Sequence, residues 1–202
     1  MSFASGKSIQ ASVVRSAHAL ERLNCMIIDD NRHMRSLLKG VLRAFGIRHV
    51  SEVADAPEAI NELKSMPIDL LITEYALDTL DGNDLTKLIR TGSDSTNPLI
   101  PIIMLTGHTE RFVVSRARDV GVNEFLAKPI SAEALYGRII GTLFNPRQFV
   151  KAKTYFGPDR RRRTSKRFAG TEHRTSPPEF IQIQPWVIDD KHESEFVDQF
   201  SL

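Results

Sequence analysis

The strongest constraint on this chain is an alternation between short apolar runs and segments of helical period from residue 24 to residue 145. Buried parallel strands form continuous apolar runs, and the helices that connect them cover both faces of the sheet. Five such runs are present, at residues 25–28, 49–54, 68–73, 101–105 and 125–127. Each is followed by a segment whose apolar residues recur at helical spacing. The pattern predicts an α/β fold with five strands and five helices.

Five units of this size allow few topologies, because crossovers between parallel strands are right-handed. The expected architecture is a five-stranded parallel doubly wound sheet of the flavodoxin-like kind. Asp30 or Asn31 is positioned to cap the first helix, and Asp55, Asp81 and Ser131 precede later helices. Ligands in this architecture bind outside the carboxyl ends of the strands.

The residues predicted at those strand ends are Asp29, Asp30, Glu74, Thr106 and Lys128. Carboxylates, a hydroxyl and a lysine at one sheet edge suit a divalent cation, with magnesium favoured, and a phosphoryl-like anion. An alternative interpretation makes the acidic pair a helix cap and Lys128 part of a turn. We favour a functional site, since these groups fall at the ends of four different strands.

Five motifs carry a resemblance to a known family: Ile27-Ile28-Asp29-Asp30-Asn31, Asp69-Leu70-Leu71-Ile72-Thr73, Leu80-Asp81-Gly82, Ile103-Met104-Leu105-Thr106-Gly107 and Phe125-Leu126-Ala127-Lys128-Pro129. With them, residues 24–145 resemble the CheY-like receiver domain of bacterial two-component response regulators. The resemblance covers about three fifths of the chain.

The resemblance implies a role for each matching residue. Asp29, Asp30, Glu74 and Ala76 are the implied Mg²⁺ ligands. Glu74, Thr106 and Lys128 are the implied catalytic residues, with Thr106 also the switch hydroxyl and Phe125 the switch aromatic. Lys128 is the cation that contacts the phosphoryl group, and Pro129 after it is expected to be cis. The implied partner is a sensor histidine kinase or another signalling protein, with a homodimer as a further prediction.

Glu74 departs from the family pattern, in which an aspartate accepts the phosphoryl group. The loop proline usual four residues later is replaced by Asp78. One extra methylene moves the nucleophile by about 1.5 Å, which disturbs in-line attack. Two interpretations remain open: Glu74 partly imitates a phosphoryl group, or it pairs with Lys128 in one fixed conformation, which weakens Mg²⁺ binding.

The tail changes composition after residue 146. Residues 147–176 carry ten basic and two acidic residues, and residues 177–202 carry one basic and six acidic. We predict a leader at 1–23, a basic linker at 146–176 within a largely disordered tail, and an acidic tail with an apolar island at 177–202. The basic residues are candidates for binding a polyanion, a nucleotide messenger or an acidic partner: Arg160, Arg161, Arg162, Arg163, Lys166 and Arg167. The island, which includes Phe180, Ile181 and Trp186, is interpreted as a docking peptide or an intramolecular clasp.

These features predict a phosphorylation-independent signalling adaptor, a pseudo-receiver with no recognisable output enzyme. The alternatives are a conventional receiver that is phosphorylated on Glu74, and a polyanion or nucleotide-messenger binder that acts through the tail. No apolar run approaches the roughly 20 residues of a membrane span, and the single Cys25 cannot form an internal disulfide. We therefore expect a cytoplasmic protein without a membrane partner.

Overall fold

A computed structural model describes residues 19–108, 110–161 and 178–186. The strands within these ranges are β1 (Asn24–Ile28), β2 (His49–Val53), β3 (Leu70–Glu74), β4 (Ile102–Thr106), β5 (Glu124–Ala127), β6 (Phe149–Ala152), β7 (Tyr155–Pro158) and β8 (Glu179–Ile181). The helices are α1 (Arg32–Ala44), α2 (Ala56–Ser65), α3 (Gly82–Thr91), α4 (Arg111–Val120) and α5 (Ala132–Phe144).

The first five strands form one parallel sheet in the order β2-β1-β3-β4-β5. This confirms the predicted flavodoxin-like architecture. The register aligns Ile28 with Thr73 and Thr106 with Ala127. The carboxyl ends of β1, β3, β4 and β5 therefore meet at one edge, where the site residues were expected.

The central strands bury both of their faces. In β1, Cys25 and Ile27 belong to the core on the side of α1 and α5, whereas Met26 and Ile28 belong to the core on the side of α2, α3 and α4. This period of two explains why the strands lack a polar face.

Side-chain caps start four of the five helices named above. Asn31, one of the two predicted candidates, caps α1 by accepting hydrogen bonds from the backbone N–H groups of His33 and Met34. Asp55, Asp81 and Ser131 each accept one such bond. These caps fix where each helix begins beside the sheet edge.

The tail contains a second sheet that the sequence analysis did not anticipate. Strands β6, β7 and β8 form an antiparallel sheet in the order β7-β6-β8. Residues 149–158 of the predicted linker therefore form a hairpin. Residues 162–176 of that linker lie outside the described residues.

The hairpin packs on the parallel-sheet domain, at the ends of α3 and α4 that lie far from the candidate site. The guanidinium of the buried Arg90 lies 5.1 Å from the centre of the Phe149 ring. Gly121 ends α4 with a φ of +101°, in the left-handed region that favours glycine. A Cβ on Gly157 would lie 2.7 Å from the Cα of Gly121. The two glycines allow the hairpin to approach the helix end closely.

Trp186 connects the apolar island to the parallel-sheet domain, which supports the clasp interpretation for this part of the chain. Its backbone N–H donates to the Leu143 carbonyl at 2.8 Å, and its Nε1 donates to the Ala19 carbonyl at 3.3 Å. The predicted leader also contributes to the fold, because Leu20 and Leu23 are fully buried. Two further residues of the island, Val187 and Ile188, lie outside the described residues.

Candidate functional site

Lys128 lies between two carboxylates from different strands. Its Nζ contacts Asp29 Oδ2 at 3.1 Å and forms an ion pair with Glu74 Oε2. Asp29 and Glu74 are 1% and 7% exposed, so both negative charges are withdrawn from water. A buried carboxylate needs a cationic partner or a hydrogen-bond donor, and Lys128 supplies this to both.

The second oxygen of Glu74 is held by the backbone. Oε1 accepts hydrogen bonds from the N–H groups of Tyr75 at 2.8 Å and Ala76 at 3.2 Å. Gly82 packs directly against this turn. A Cβ at Gly82 would lie 2.5 Å from the Glu74 carbonyl oxygen, so a larger residue would not fit without a shift. Both carboxylate oxygens of Glu74 therefore have donors within the protein.

The acidic pair after β1 is split between a buried and an exposed side chain. Asp29 Oδ1 accepts from the Asn31 N–H at 2.8 Å, whereas Asp30 is exposed. Arg35 holds the backbone of this turn by donating from Nη1 to the carbonyls of Asp29 at 2.6 Å and Asp30 at 3.2 Å. The loop that carries the two carboxylates is thus fixed from α1.

The pKa of Lys128 is raised above its ordinary value. Burial alone lowers it, but the hydrogen bonds and negative charges of Glu74 and Asp29 outweigh burial. Lys128 is therefore a firmly protonated cation. The peptide bond between Lys128 and Pro129 is cis, as the resemblance implied.

The two implied switch residues have their own contacts. Thr106 is fully buried, and its Oγ1 accepts a hydrogen bond from the His108 N–H at 2.9 Å. Phe125 is half-buried against the core beneath α2, α3 and α4. The ring of His108 lies edge-on to Tyr75, with 6.0 Å between centres. The Thr106 hydroxyl therefore bonds to the segment after β4.

The donor chemistry at this edge suits a hard cation, because Asp29 and Asp30 offer carboxylate oxygens and Ala76 offers an exposed backbone position. Within the described residues, no group of three or more His, Cys, Asp or Glu side chains is arranged to hold a metal ion. Asp29 and Glu74 already contact the Lys128 ammonium. A cation that used these carboxylates would compete with Lys128.

The basic tail residues within the described ranges lie away from this edge. Arg160 pairs with Asp119 of α4 at 2.6 Å, and its guanidinium lies 4.3 Å from the centre of the Tyr155 ring. Arg161 is exposed. The other four predicted polyanion-binding residues, Arg162, Arg163, Lys166 and Arg167, lie outside the described residues, and polyanion binding stays a prediction.

Two residues with structural roles at the site, Arg35 and His108, were missed by sequence reasoning. Arg35, in the first turn of α1, donates to the carbonyls of Asp29 and Asp30 before the helix. His108 donates to Thr106 through its backbone N–H, which any residue other than proline could do. Neither relation has a residue-type signature that a single sequence reveals.

Comparison with known proteins identifies the domain. The model of the response regulator receiver domain family matches residues 25–140, more than half of the chain. The chain belongs to the response regulator receiver domain family. Among curated proteins, a chemotaxis protein CheY of Pseudomonas aeruginosa is 30% identical over 117 residues, which cover 58% of this chain and 93% of that protein.

Two solved structures illustrate the family. The receiver domain of the sensor histidine kinase PA1611 of Pseudomonas aeruginosa, with a magnesium ion in its active-site cleft, is 28% identical at a TM-score of 0.52, covering 59% of this chain and 94% of that one. The receiver domain of Ssk1 of Saccharomyces cerevisiae, solved with the histidine phosphotransfer protein Ypd1, is 28% identical at a TM-score of 0.52, covering 58% and 86%. Receiver domains are signalling modules of two-component systems. In the described part of this receiver, every helix is too short or too polar to cross a membrane.

Proposed function

We propose that this receiver is a phosphorylation-independent signalling adaptor that acts by protein interaction within a two-component or phosphorelay system. The observation that carries the proposal is the state of Glu74 at the acceptor position. One of its oxygens pairs with Lys128, and the other accepts two backbone hydrogen bonds. Both acceptor-position oxygens are thereby engaged by groups of the protein itself.

This arrangement disfavours phosphoryl transfer for two reasons. A nucleophilic carboxylate must present a free oxygen in line with the phosphorus atom. Glu74 has both oxygens engaged, and its extra methylene displaces them by about 1.5 Å from where an aspartate would place them. In addition, Lys128 already contacts both carboxylates, so its single positive charge is engaged before a phosphoryl group arrives.

Between the two interpretations of Glu74, the contacts favour a fixed pair over imitation of a phosphoryl group. An imitator would draw the Thr106 hydroxyl toward it. In the structure, which describes both residues, no hydrogen bond joins the Thr106 hydroxyl to Glu74. Oγ1 accepts from the His108 N–H, and Glu74 bonds to Lys128, Tyr75 and Ala76. We propose that Glu74 and Lys128 form a permanent ion pair, which takes the place of a phosphoryl charge that can be added and removed.

Mg²⁺ is the cofactor implied by the family, and the related PA1611 receiver carries a magnesium ion in its active-site cleft. In this chain Asp29 and Asp30, with Glu74 and Ala76, would hold it. When bound, the ion would neutralise negative charge at the sheet edge. We expect weak binding, because Lys128 offsets the same carboxylates.

The partner class we propose is a sensor histidine kinase, a phosphotransfer protein or another signalling protein. The related Ssk1 receiver was solved with the phosphotransfer protein Ypd1, which supports this class. An adaptor of this kind would bind its partner with the same affinity whether or not a phosphoryl donor is present.

The test is to record amide NMR spectra of the full chain with Mg²⁺ before and after adding phosphoramidate. The proposal expects unchanged signals for Thr106, Phe125 and Lys128 after the donor is added. Donor-dependent shifts at Thr106 and Phe125 would overturn it and favour a conventional receiver that uses Glu74. Glu74→Gln serves as a control, because loss of its charge should shift the Lys128 signals and show that the spectra report on the site.

A further inference from the structure

An open hollow of about 650 Å³ lies between the second sheet and the segment that leads into β4. Its apolar lining comes from Pro98 and Leu99 on the receiver and from Phe156 and Ile181 on the sheet. The hollow exists only because the hairpin and β8 are folded against the receiver. It lies away from the Lys128 edge and is independent of the proposed function.

Three basic side chains line the same hollow: Arg90, Lys151 and Lys153. Both lysines are exposed, and Lys151 has a loose pair with Glu179 at 3.8 Å. Within the described residues, Lys153 has no acidic partner. The rim therefore carries a net positive charge.

Arg90 gives this hollow an unusual buried charge. It is 3% exposed and donates to the carbonyls of Gly121 at 3.0 Å and Pro98 at 2.8 Å and to Asn123 Oδ1 at 2.9 Å. Each of the three guanidinium nitrogens therefore has an acceptor, but all three acceptors are uncharged. Within the described part of the chain no carboxylate pairs with it, and burial lowers its pKa to about 9. Its charge is therefore not offset by a neighbouring carboxylate, and it adds to the positive potential of the hollow, which favours an acidic ligand.

The sequence beyond Trp186 has the matching chemistry. Residues 187–202 contain five acidic residues and one lysine, together with the aromatic residues Phe196 and Phe200. We propose that this acidic segment binds the hollow, with its carboxylates against the basic rim and an aromatic side chain against the apolar wall. It would then compete with any acidic peptide of a partner for this surface.

The chain is long enough for this contact. Ile181 lines the hollow, and Trp186, five residues later, is anchored at Leu143. Five extended residues span at most about 18 Å, and the ten residues from Trp186 to Phe196 span up to about 35 Å. The acidic segment can therefore return to the hollow without disturbing Trp186.

A spin label near Phe200 tests the contact in the full chain. Ser201→Cys provides the attachment site, because the only native thiol, Cys25, is buried and its pKa is raised by burial. We expect the label to broaden the amide signals of Leu99, Lys153 and Thr154. The broadening should fade in high salt, since exposed charge pairs are screened.

Charge variants provide the matched comparison. Lys151→Glu combined with Lys153→Glu should abolish most of the broadening, whereas Lys87→Glu, at an exposed lysine outside the hollow, should leave it intact. Unbroadened hollow signals would overturn the proposal. So would broadening confined to residues around Arg160, which would assign the segment to the arginine run. Broadening in a mixture of isotope-labelled unmodified chain and unlabelled spin-labelled chain would show a contact between two copies and also overturn it.

Discussion

Lys128 is the residue on which the candidate site depends most. It serves two buried carboxylates at once, and it is itself only 22% exposed. Removing one partner from a buried ion pair leaves an uncompensated charge, which costs far more than losing an exposed pair. The pair between Glu74 and Lys128 is therefore a structural element of this receiver, and under the proposed function it also hinders phosphoryl transfer.

We expect Lys128→Met to lower the free energy of unfolding by about 3 kcal/mol, because Asp29 and Glu74 lose their shared cation. Lys64→Met is the control, since Lys64 forms an exposed pair with Asp94 at 3.6 Å and should cost at most about 1 kcal/mol. Urea unfolding of the two variants measures the difference. Equal losses would show that the Lys128 contacts contribute no more than a surface pair.

The pH dependence of this contribution follows from the raised pKa of Lys128. A base whose pKa is raised by folding contributes stability that is fully present below its unfolded value of 10.5 and is lost as the pH rises through the raised value. The difference between wild type and Lys128→Met should be constant from pH 7 to about pH 10 and shrink above pH 10.5. Urea midpoints across this range test the sign, and a gap that widens at high pH would contradict it.

Strands β6, β7 and β8 form the element that distinguishes this chain from a minimal receiver. Phe149 is 1% exposed and packs over Arg90, whereas Phe180 of β8 is 49% exposed. The two phenylalanines belong to the same small sheet but differ in burial. Substituting each in turn therefore separates the effect of losing the buried contact with the receiver from the effect of changing an exposed phenylalanine in the same sheet.

Phe149→Ala should reduce the free energy of unfolding by about 3 to 5 kcal/mol, because it removes a buried ring and leaves a cavity beside Arg90. Phe180→Ala should change it by less than about 1 kcal/mol, since the ring is half in solvent. Thermal or urea unfolding distinguishes them. Similar small effects for both would show that the second sheet is not part of the folded unit.

Gly157→Ala tests the close approach of the hairpin to the end of α4. The added Cβ would lie 2.7 Å from Gly121 Cα and 2.8 Å from the Tyr155 hydroxyl, so we expect a loss of about 1 to 3 kcal/mol. Gly141→Ala in α5 has open space around its Cβ and should gain about 0.5 to 1 kcal/mol from helix propensity. A neutral or stabilising Gly157→Ala would contradict the packing described here.

The second sheet shows where sequence reasoning stopped. The five central strands were predictable because continuous apolar runs such as the one through Ile27 require burial on both faces. The hairpin has only four residues in each strand, and Lys153-Thr154 at its turn lacks the Asn-Gly or Asp-Gly signal of a tight hairpin. The nearby arginine run also suggested a linker.

The candidate site was predictable in its residues but only partly in its contacts. The strand ends fixed where Asp29, Glu74 and Lys128 would meet. Whether Glu74 would bond to Lys128 or approach Thr106 depends on side-chain torsions and on the turn at Tyr75 and Ala76. A single sequence does not specify these features.

Across the full chain, the folded unit extends beyond the receiver match at residues 25–140. The described tail contributes Phe149 over Arg90, and Trp186 joins the end of α5 to the residues before β1. Truncation after Pro146 should therefore lower the urea midpoint, because it uncovers Arg90 and removes the Trp186 contacts. An unchanged midpoint would show that the tail does not contribute to the stability of the receiver.

We propose that Glu74, held by Lys128, is what disables phosphoryl transfer at this receiver site. The most direct measurement is the intact mass of wild type and Glu74→Asp after incubation with phosphoramidate and Mg²⁺, with Mg²⁺ binding of both proteins measured in parallel. Shortening the side chain withdraws the carboxylate by about one bond length from Lys128 and frees an oxygen for in-line attack. We expect no mass change in wild type and one labile phosphoryl group on Glu74→Asp. A phosphorylated wild type, or a Glu74→Asp variant that binds Mg²⁺ and still stays unmodified, would contradict the claim.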